Sequence, residues 1–109
     1  MNDLAARHCA PQRGPALSHE AAETLLGQIA GWVMSAGAKE IRRTFTFEDY
    51  GASMAFANAV AWIAHREDHH PDMTVGYDKV TVVFATHSVS GLSENDFICA
   101  AKVDALGAP

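Results

Sequence analysis

Pro71 constrains the fold of this 109-residue chain more than any other residue, because it directly follows His69 and His70. Its ring disfavours the helical region for the residue before it, so His70 is expected to be extended even where His69 closes a helix. The two imidazoles then leave one rigid corner in different directions. Downstream, Met73 to Tyr77 and Val80 to Phe84 both read as strands, with Asp78-Lys79 between them as a two-residue turn. That register pairs Tyr77 with Val80, Val75 with Val82 and Met73 with Phe84, and its continuation sets His70 opposite His87. Three of the six histidines are thus expected to converge. Imidazole is the side chain whose ordinary pKa lies nearest neutral pH, so such a cluster points to proton transfer or metal binding.

The rest of the chain supplies a frame for that corner. Residues 1–16 carry two prolines, a glycine and scattered charge without periodicity, and are expected as a mobile tail. Residues 17–109 are enough for a single domain with one core. Ser18 reads as a helix N-cap, with Glu20 and Glu23 near the positive end of the dipole and Ala30-Gly31 as the stop. Trp32 to Ser35 is expected as a short strand. Lys39 to Phe47 alternates, with Ile41, Phe45 and Phe47 on one face; Arg43 breaks the parity and is read as snorkelling at the sheet margin.

Glu48 to Asp68 is the strongest helix. Tyr50, Met54, Ala57, Ala61 and Ala64 follow one face, and Phe56, Val60 and Ile63 widen it. Ser88 to Gly91 reads as a loop. Ser93 then opens a last helix as a capping box with Asp96, and Phe97, Ile98, Ala101 and Ala105 form its inner face. The order α-β-β-α-β-β-α implies an α+β fold: a four-stranded antiparallel sheet with helices packed on one face. The uncovered face and edges leave surface for self-association.

A formal net charge of −5, with no run or stripe of Lys and Arg, argues against nucleic acid as a partner. Cys9 and Cys99 form no metal or redox motif, which fits a reducing compartment. No apolar run reaches signal-peptide or membrane-span length, so a soluble cytoplasmic protein is expected.

The histidine corner and its surroundings resemble the pterin-4a-carbinolamine dehydratases. The likeness rests on Asp68-His69-His70-Pro71, Tyr77, Lys79-Val80, Thr86-His87, Gly91-Leu92-Ser93-Glu94 and Asp96, at matching intervals. Upstream, Leu17-Ser18, Gly31-Trp32, Phe45-Thr46-Phe47 and Asp49 extend it over roughly residues 17–106. The resemblance implies dehydration of 4a-hydroxytetrahydropterin to quinonoid dihydropterin, the step that recycles the pterin after aromatic amino acid hydroxylation. Pterin is then the substrate, and no further cofactor is implied. His69, His70 and His87 match the family's active-site histidines, and Asp68 and Asp96 match acids that line the site. The resemblance also implies a homodimer or homotetramer and a functional link to an aromatic amino acid hydroxylase. A vertebrate member doubles as a dimerisation cofactor for a homeodomain transcription factor. His65, Met73, Val89 and Asn95 depart from residues common in the family, which bears on substrate fit more than on reaction type.

The reaction removes hydroxide from C4a and a proton from N5, so it needs an acid and a base that both work near neutral pH. His69 and His87 are assigned as that pair, with His70 orienting the pterin. Pro71, Thr86 and Ser88 are candidates to contact the substrate beside them, along with Asp68 and Asp96. His8 and His19 are read as surface groups. His65 stands one helical turn before His69, a spacing zinc ligands also use, so a metal site is a distinct alternative. A third reading is an interaction protein with the same fold and a vestigial site.

Overall fold

The computed structural model describes residues 3–107. Helix α1 spans His19–Leu26, strand β1 Val33–Met34, strand β2 Ile41–Thr46 and helix α2 Tyr50–Glu67. Strand β3 follows at Asp72–Val75, strand β4 at Lys79–Phe84 and helix α3 at Glu94–Asp104. The α-β-β-α-β-β-α order is the expected one. Every strand pairing is antiparallel, and the sheet order β1-β2-β4-β3 joins two hairpins along β2 and β4.

Alternation along the central strands sets the core. Val80, Val82 and Phe84 of β4 point inward and are fully buried, as is Ile41 of β2, with Phe45 beside it. Helix α2 meets this face with Phe56, Ala57, Val60 and Ala64, and α3 with Phe97, Ile98 and Ala101. Alanines at the contact let the helix backbone approach the sheet closely. Arg43 sits on the inward parity of β2 yet reaches the margin. It donates to Ala30 O and to Asp104 Oδ1, both at 3.0 Å, with its guanidinium 4.6 Å from the centre of the Phe45 ring. Trp32 Nε1 donates to the same Asp104 carboxylate.

Several sequence expectations need correction. Helix α1 stops at Leu26, with Gly27 as its C-cap, rather than near Ala30-Gly31. Gly27 is a poor helix former, and the later Gly31, at φ 88°, turns the chain into β1 instead. In the second hairpin the central turn residues are Tyr77 and Asp78, one position earlier than expected, so Val75 pairs with Val80 and Met73 with Val82. The same side chains face the core, because a one-residue move of the turn shifts partners by two and preserves the pleat. Strand β3 begins only at Asp72 and β4 ends at Phe84, so His70 and His87 are not ladder partners. Residues 87–89 form a 3₁₀ turn, where His87 was expected to continue the strand and Ser88 to begin a loop.

The turn register has a cause outside the hairpin. Gly76 N–H donates to Lys79 O, Phe47 N–H donates to Asp78 O, and Ser53 of α2, fully buried, donates its hydroxyl to Gly76 O at 2.7 Å. Ser53→Ala would leave that carbonyl short of a partner. It is expected to cost about 1–2 kcal/mol and lower the melting temperature by several degrees, measurable by circular dichroism.

Of the segment expected as a tail, residues 1 and 2 lie outside the described residues, and residues 4–12 lie against α2 and α3. Leu4 is buried, Lys102 Nζ donates to Ala5 O at 2.8 Å, and Arg7 pairs with Glu94 at 3.1 Å. Its lack of periodicity reflects a strap that holds one 3₁₀ turn, Leu4–Ala6, and whose Cys9 and Ala10 backbone groups find side-chain partners on two helices.

Candidate active site

The site begins where α2 stops. Asp68 caps the helix in the left-handed conformation, φ 51° and ψ 44°, and His69 N–H bonds back to Ala64 O at 3.1 Å. A non-glycine residue in that region is strained, and such strain is tolerated where the surroundings over-determine it. The turn re-aims the chain so that His69 goes inward while His70, held extended by Pro71, stays exposed. The two adjacent rings therefore leave one corner in different directions, one buried and one exposed.

The opposite wall comes from the end of β4. Thr86 N–H donates to Gly91 O at 2.7 Å, closing the 3₁₀ turn His87–Val89 and placing His87 and Ser88 at the surface beside the corner. The third wall is the start of α3. Ser93 and Asp96 form the expected capping box: Ser93 N–H donates to Asp96 Oδ2 at 2.9 Å.

Asp96 also ties the three walls together. Its Oδ2 accepts from the Thr86 hydroxyl at 2.7 Å, and its Oδ1 meets His69 Nε2 at 2.6 Å. Thr86 Oγ1 lies 2.7 Å from Ser93 Oγ, so with Thr86 donating to the carboxylate, the Ser93 hydroxyl donates to Thr86. The carboxylate is fully buried and every bond it makes is an acceptance, which places a proton on His69 Nε2. The imidazole further stacks on Phe84, ring centres 5.9 Å apart and nearly parallel. His69 is fixed in position and tautomer before any substrate arrives.

A cavity of about 210 Å³ is lined by Asp68, His69, His70, Thr86, His87 and Ser88, together with Ala85. It brings together the three predicted histidines and three of the five predicted contact residues. The other two stand elsewhere. Asp96 has no exposed surface and reaches the cavity only through His69 and Thr86, so it positions the site rather than lining it. Pro71 shapes the corner but lies outside the lining. A second cavity of about 260 Å³ adjoins the first and shares Asp68, His69, Thr86 and Ser88 with it. A larger depression, about 670 Å³, lies along Phe47, Phe56 and Leu106 and has no histidine in its lining.

Sequence reading missed the wall of the second cavity, which consists of residues 9–12, Glu67 and Asn95. Burial alone would raise the Glu67 carboxyl, but the Cys9 N–H, His8 and the charge of Lys102 together hold it below the ordinary carboxylate range. Close contact with Cys9, Sγ to Sγ 3.5 Å, and burial push the Cys99 thiol far up, so it stays protonated. No periodic or motif signal marks this segment. His65 stacks on Trp62, ring centres 5.9 Å apart, while His69 Nε2 is taken by Asp96. Among the described residues, no group of three or more His, Cys, Asp or Glu is arranged to hold a metal ion.

Comparison with known proteins agrees with this geometry. Residues 15–106 match the family described as pterin 4 alpha carbinolamine dehydratase. A protein of Stenotrophomonas maltophilia, provisionally named a pterin-4-alpha-carbinolamine dehydratase, is 57% identical over 107 residues, covering 94% of this chain and 90% of the relative. One of Nitrosospira multiformis with the same provisional name is 55% identical, covering 97% and 94%. A crystal structure from Brucella melitensis, described as a transcriptional coactivator/pterin dehydratase, superposes with a TM-score of 0.79 at 33% identity, over 84% of this chain and 97% of that one. A pterin dehydratase-like protein identified as a RuBisCO assembly factor in the alpha-carboxysome gives a TM-score of 0.62 at 25% identity, over 72% and 93%. The α+β frame, the histidine corner with its capping-box acid, and a match across nearly the whole length lead to one conclusion: the chain belongs to the pterin-4a-carbinolamine dehydratase family.

Proposed function

We propose that the histidine cleft dehydrates 4a-hydroxytetrahydropterin to quinonoid dihydropterin. The observation that carries this reading is the cavity shared by His69, His70 and His87, one ring locked by a buried carboxylate and two open to solvent. In the reaction the C4a–O bond breaks, the N5–H bond breaks, and the electron pair from N5–H becomes the new C4a=N5 bond. The departing hydroxide and a proton leave as water. His69 and His87 act as the acid and base across C4a and N5, and His70 orients the ring. His69 is held by Asp96 so that one nitrogen faces the reacting atoms without a search over tautomers. The exposed positions of His70 and His87 let protons exchange with water between turnovers.

The product needs only a two-electron reduction to return to tetrahydropterin, so the reaction belongs after a pterin-dependent monooxygenase, such as an aromatic amino acid hydroxylase. We place it in the cytoplasm, as a homodimer or homotetramer built on the open sheet edges; exposed Val33 on β1 and Val75 on β3 support association there. The described residues contain no helix long and apolar enough to cross a membrane.

Stopped-flow absorbance with freshly generated 4a-hydroxytetrahydropterin tests the catalytic reading. Wild-type protein is expected to accelerate dehydration in proportion to its concentration; a rate equal to buffer alone would reject it. A second reading, an interaction protein with an idle site, draws on the coactivator and assembly-factor descriptions of the two structural neighbours. The same assay separates the two.

A further inference from the structure

Two thiols that proton transfer does not use meet between the strap and α3. Cys9 and Cys99 stand 90 positions apart, yet their sulfurs lie 3.5 Å from one another. A separation of that length explains why no Cys-x-x-Cys pattern announces the pair. The strap arranges the meeting. Cys9 N–H donates to Glu67 Oε1 at 2.7 Å, at the end of α2. Asn95 brackets the next residue: its Oδ1 accepts from Ala10 N–H at 3.1 Å and its Nδ2 donates to Ala10 O at 2.8 Å. Asn95 and Cys99 are one helical turn apart on α3, so the side chain that moors the strap also seats Cys9 over Cys99.

The two thiols differ in access. Cys99 is fully buried and its thiol stays protonated, whereas small oxidants attack a thiolate, so Cys99 on its own is a poor target. Cys9 is half-buried and borders the cavity of about 260 Å³, a space larger than a peroxide molecule. One thiol is therefore reachable, and the other waits in contact behind it. This is the arrangement of an attacked cysteine with a resolving partner.

We propose that Cys9 and Cys99 form a reversible redox modification site, in which a peroxide oxidises Cys9 and Cys99 converts the product into a disulfide that ties the strap to α3. In the first step the Cys9 sulfur attacks one oxygen of hydrogen peroxide. The S–O bond forms, the O–O bond breaks, and the departing hydroxide leaves as water with the thiol proton. In the second step the Cys99 sulfur attacks the Cys9 sulfenic acid. The S–S bond forms, the S–O bond breaks, and the hydroxide takes the Cys99 proton as a second water. Two electrons pass from the thiol pair to the peroxide. Bond formation closes the 3.5 Å contact by about 1.5 Å, which a turn of the Cys9 side chain on the irregular strap supplies without disturbing α3. A dithiol reductant reverses the bond by exchange. The site is independent of the dehydratase reading.

The test treats the reduced full chain with hydrogen peroxide and reads intact mass, thiol titre and thermal melting. Wild type is expected to lose about 2 Da and both thiols, to run as a single chain on a non-reducing gel, and to recover both thiols in dithiothreitol. The oxidised form is expected to melt about 5–15 °C higher, since the bond closes a loop over most of the chain. Cys9→Ser should leave the Cys99 thiol unmodified. Cys99→Ala should carry Cys9 on to the sulfinic acid, about 32 Da heavier, because no partner intercepts it. Cys99 lies in the core, so Cys9→Ser decides the matter if the other variant folds poorly. The proposal is overturned by a wild-type mass gain in place of the loss, by a bond between two chains, or by thiols that survive peroxide sufficient to oxidise free cysteine. Oxidation of Cys99 in Cys9→Ser as fast as in wild type, or an oxidised form that melts no higher, would also overturn it.

Discussion

Asp96→Ala is expected to be the most destabilising single substitution near the site, lowering the melting temperature by about 10–20 °C. The carboxylate is fully buried and accepts from Ser93 N–H, the Thr86 hydroxyl and His69 Nε2. Alanine strands all three donors where water does not replace the lost acceptor. Leaving a buried donor without its acceptor costs about 1–3 kcal/mol each, so the three together are a large share of a total stability of about 5–15 kcal/mol for a domain of this kind. It also removes half of the capping box and the negative charge at the start of α3, each adding to the loss in the same direction. Asp96→Asn keeps the volume and one acceptor oxygen but turns an NH₂ toward either His69 or Thr86, so a loss of roughly half that size is expected. Differential scanning calorimetry on both variants makes the measurement. A melting temperature for Asp96→Ala within 2–3 °C of wild type, below ~1 kcal/mol, would mean that the carboxylate does not join the three walls.

The same residue shows what the sequence discloses and what it conceals. The pattern Ser93-Glu94-Asn95-Asp96 announces a helix start, because a capping box is a local arrangement whose partners lie three residues apart. Pro71 likewise announces the corner, since its effect on His70 is steric and immediate. Neither says that Asp96 and His69, 27 positions apart, share a hydrogen bond, which depends on how the end of α2 and the start of α3 pack. The second hairpin was legible as to which residues face the core but not as to its turn, because the decisive bond comes from Ser53 on a preceding helix. The strap was the least legible part. Its backbone is satisfied by Glu67, Asn95 and Ser88, and side-chain mooring of an irregular segment leaves no period in the sequence to read. Local chemistry was visible, and long-range satisfaction of polar groups was not.

Among the histidines, His87→Ala is expected to slow dehydration by about 10²- to 10⁴-fold, the range of a lost general acid or base. His87 lies exposed on a 3₁₀ turn, so the fold should hardly notice the change and the melting temperature should stay within about 2 °C of wild type. His70→Ala, also exposed, is expected to act more on KM than on kcat, since its assigned work is to orient the ring. His69→Ala is the contrasting case: its ring is stacked on Phe84 and bonded to Asp96, so rate and stability should fall together. Single-turnover stopped-flow kinetics combined with thermal melts separates the three. A fast His87→Ala variant would remove His87 from the chemistry and leave His69 and His70 to share it. If all three variants kept wild-type rates, any acceleration would have to arise from binding alone, and the locked tautomer of His69 would have no task. Imidazole added to the His87→Ala variant offers a further discriminator. The exposed side of the cleft can admit a small free base, so partial recovery of rate in proportion to imidazole concentration is expected if the missing group moved a proton. A purely structural role for His87 predicts no recovery, because a free imidazole does not rebuild the turn that carried it.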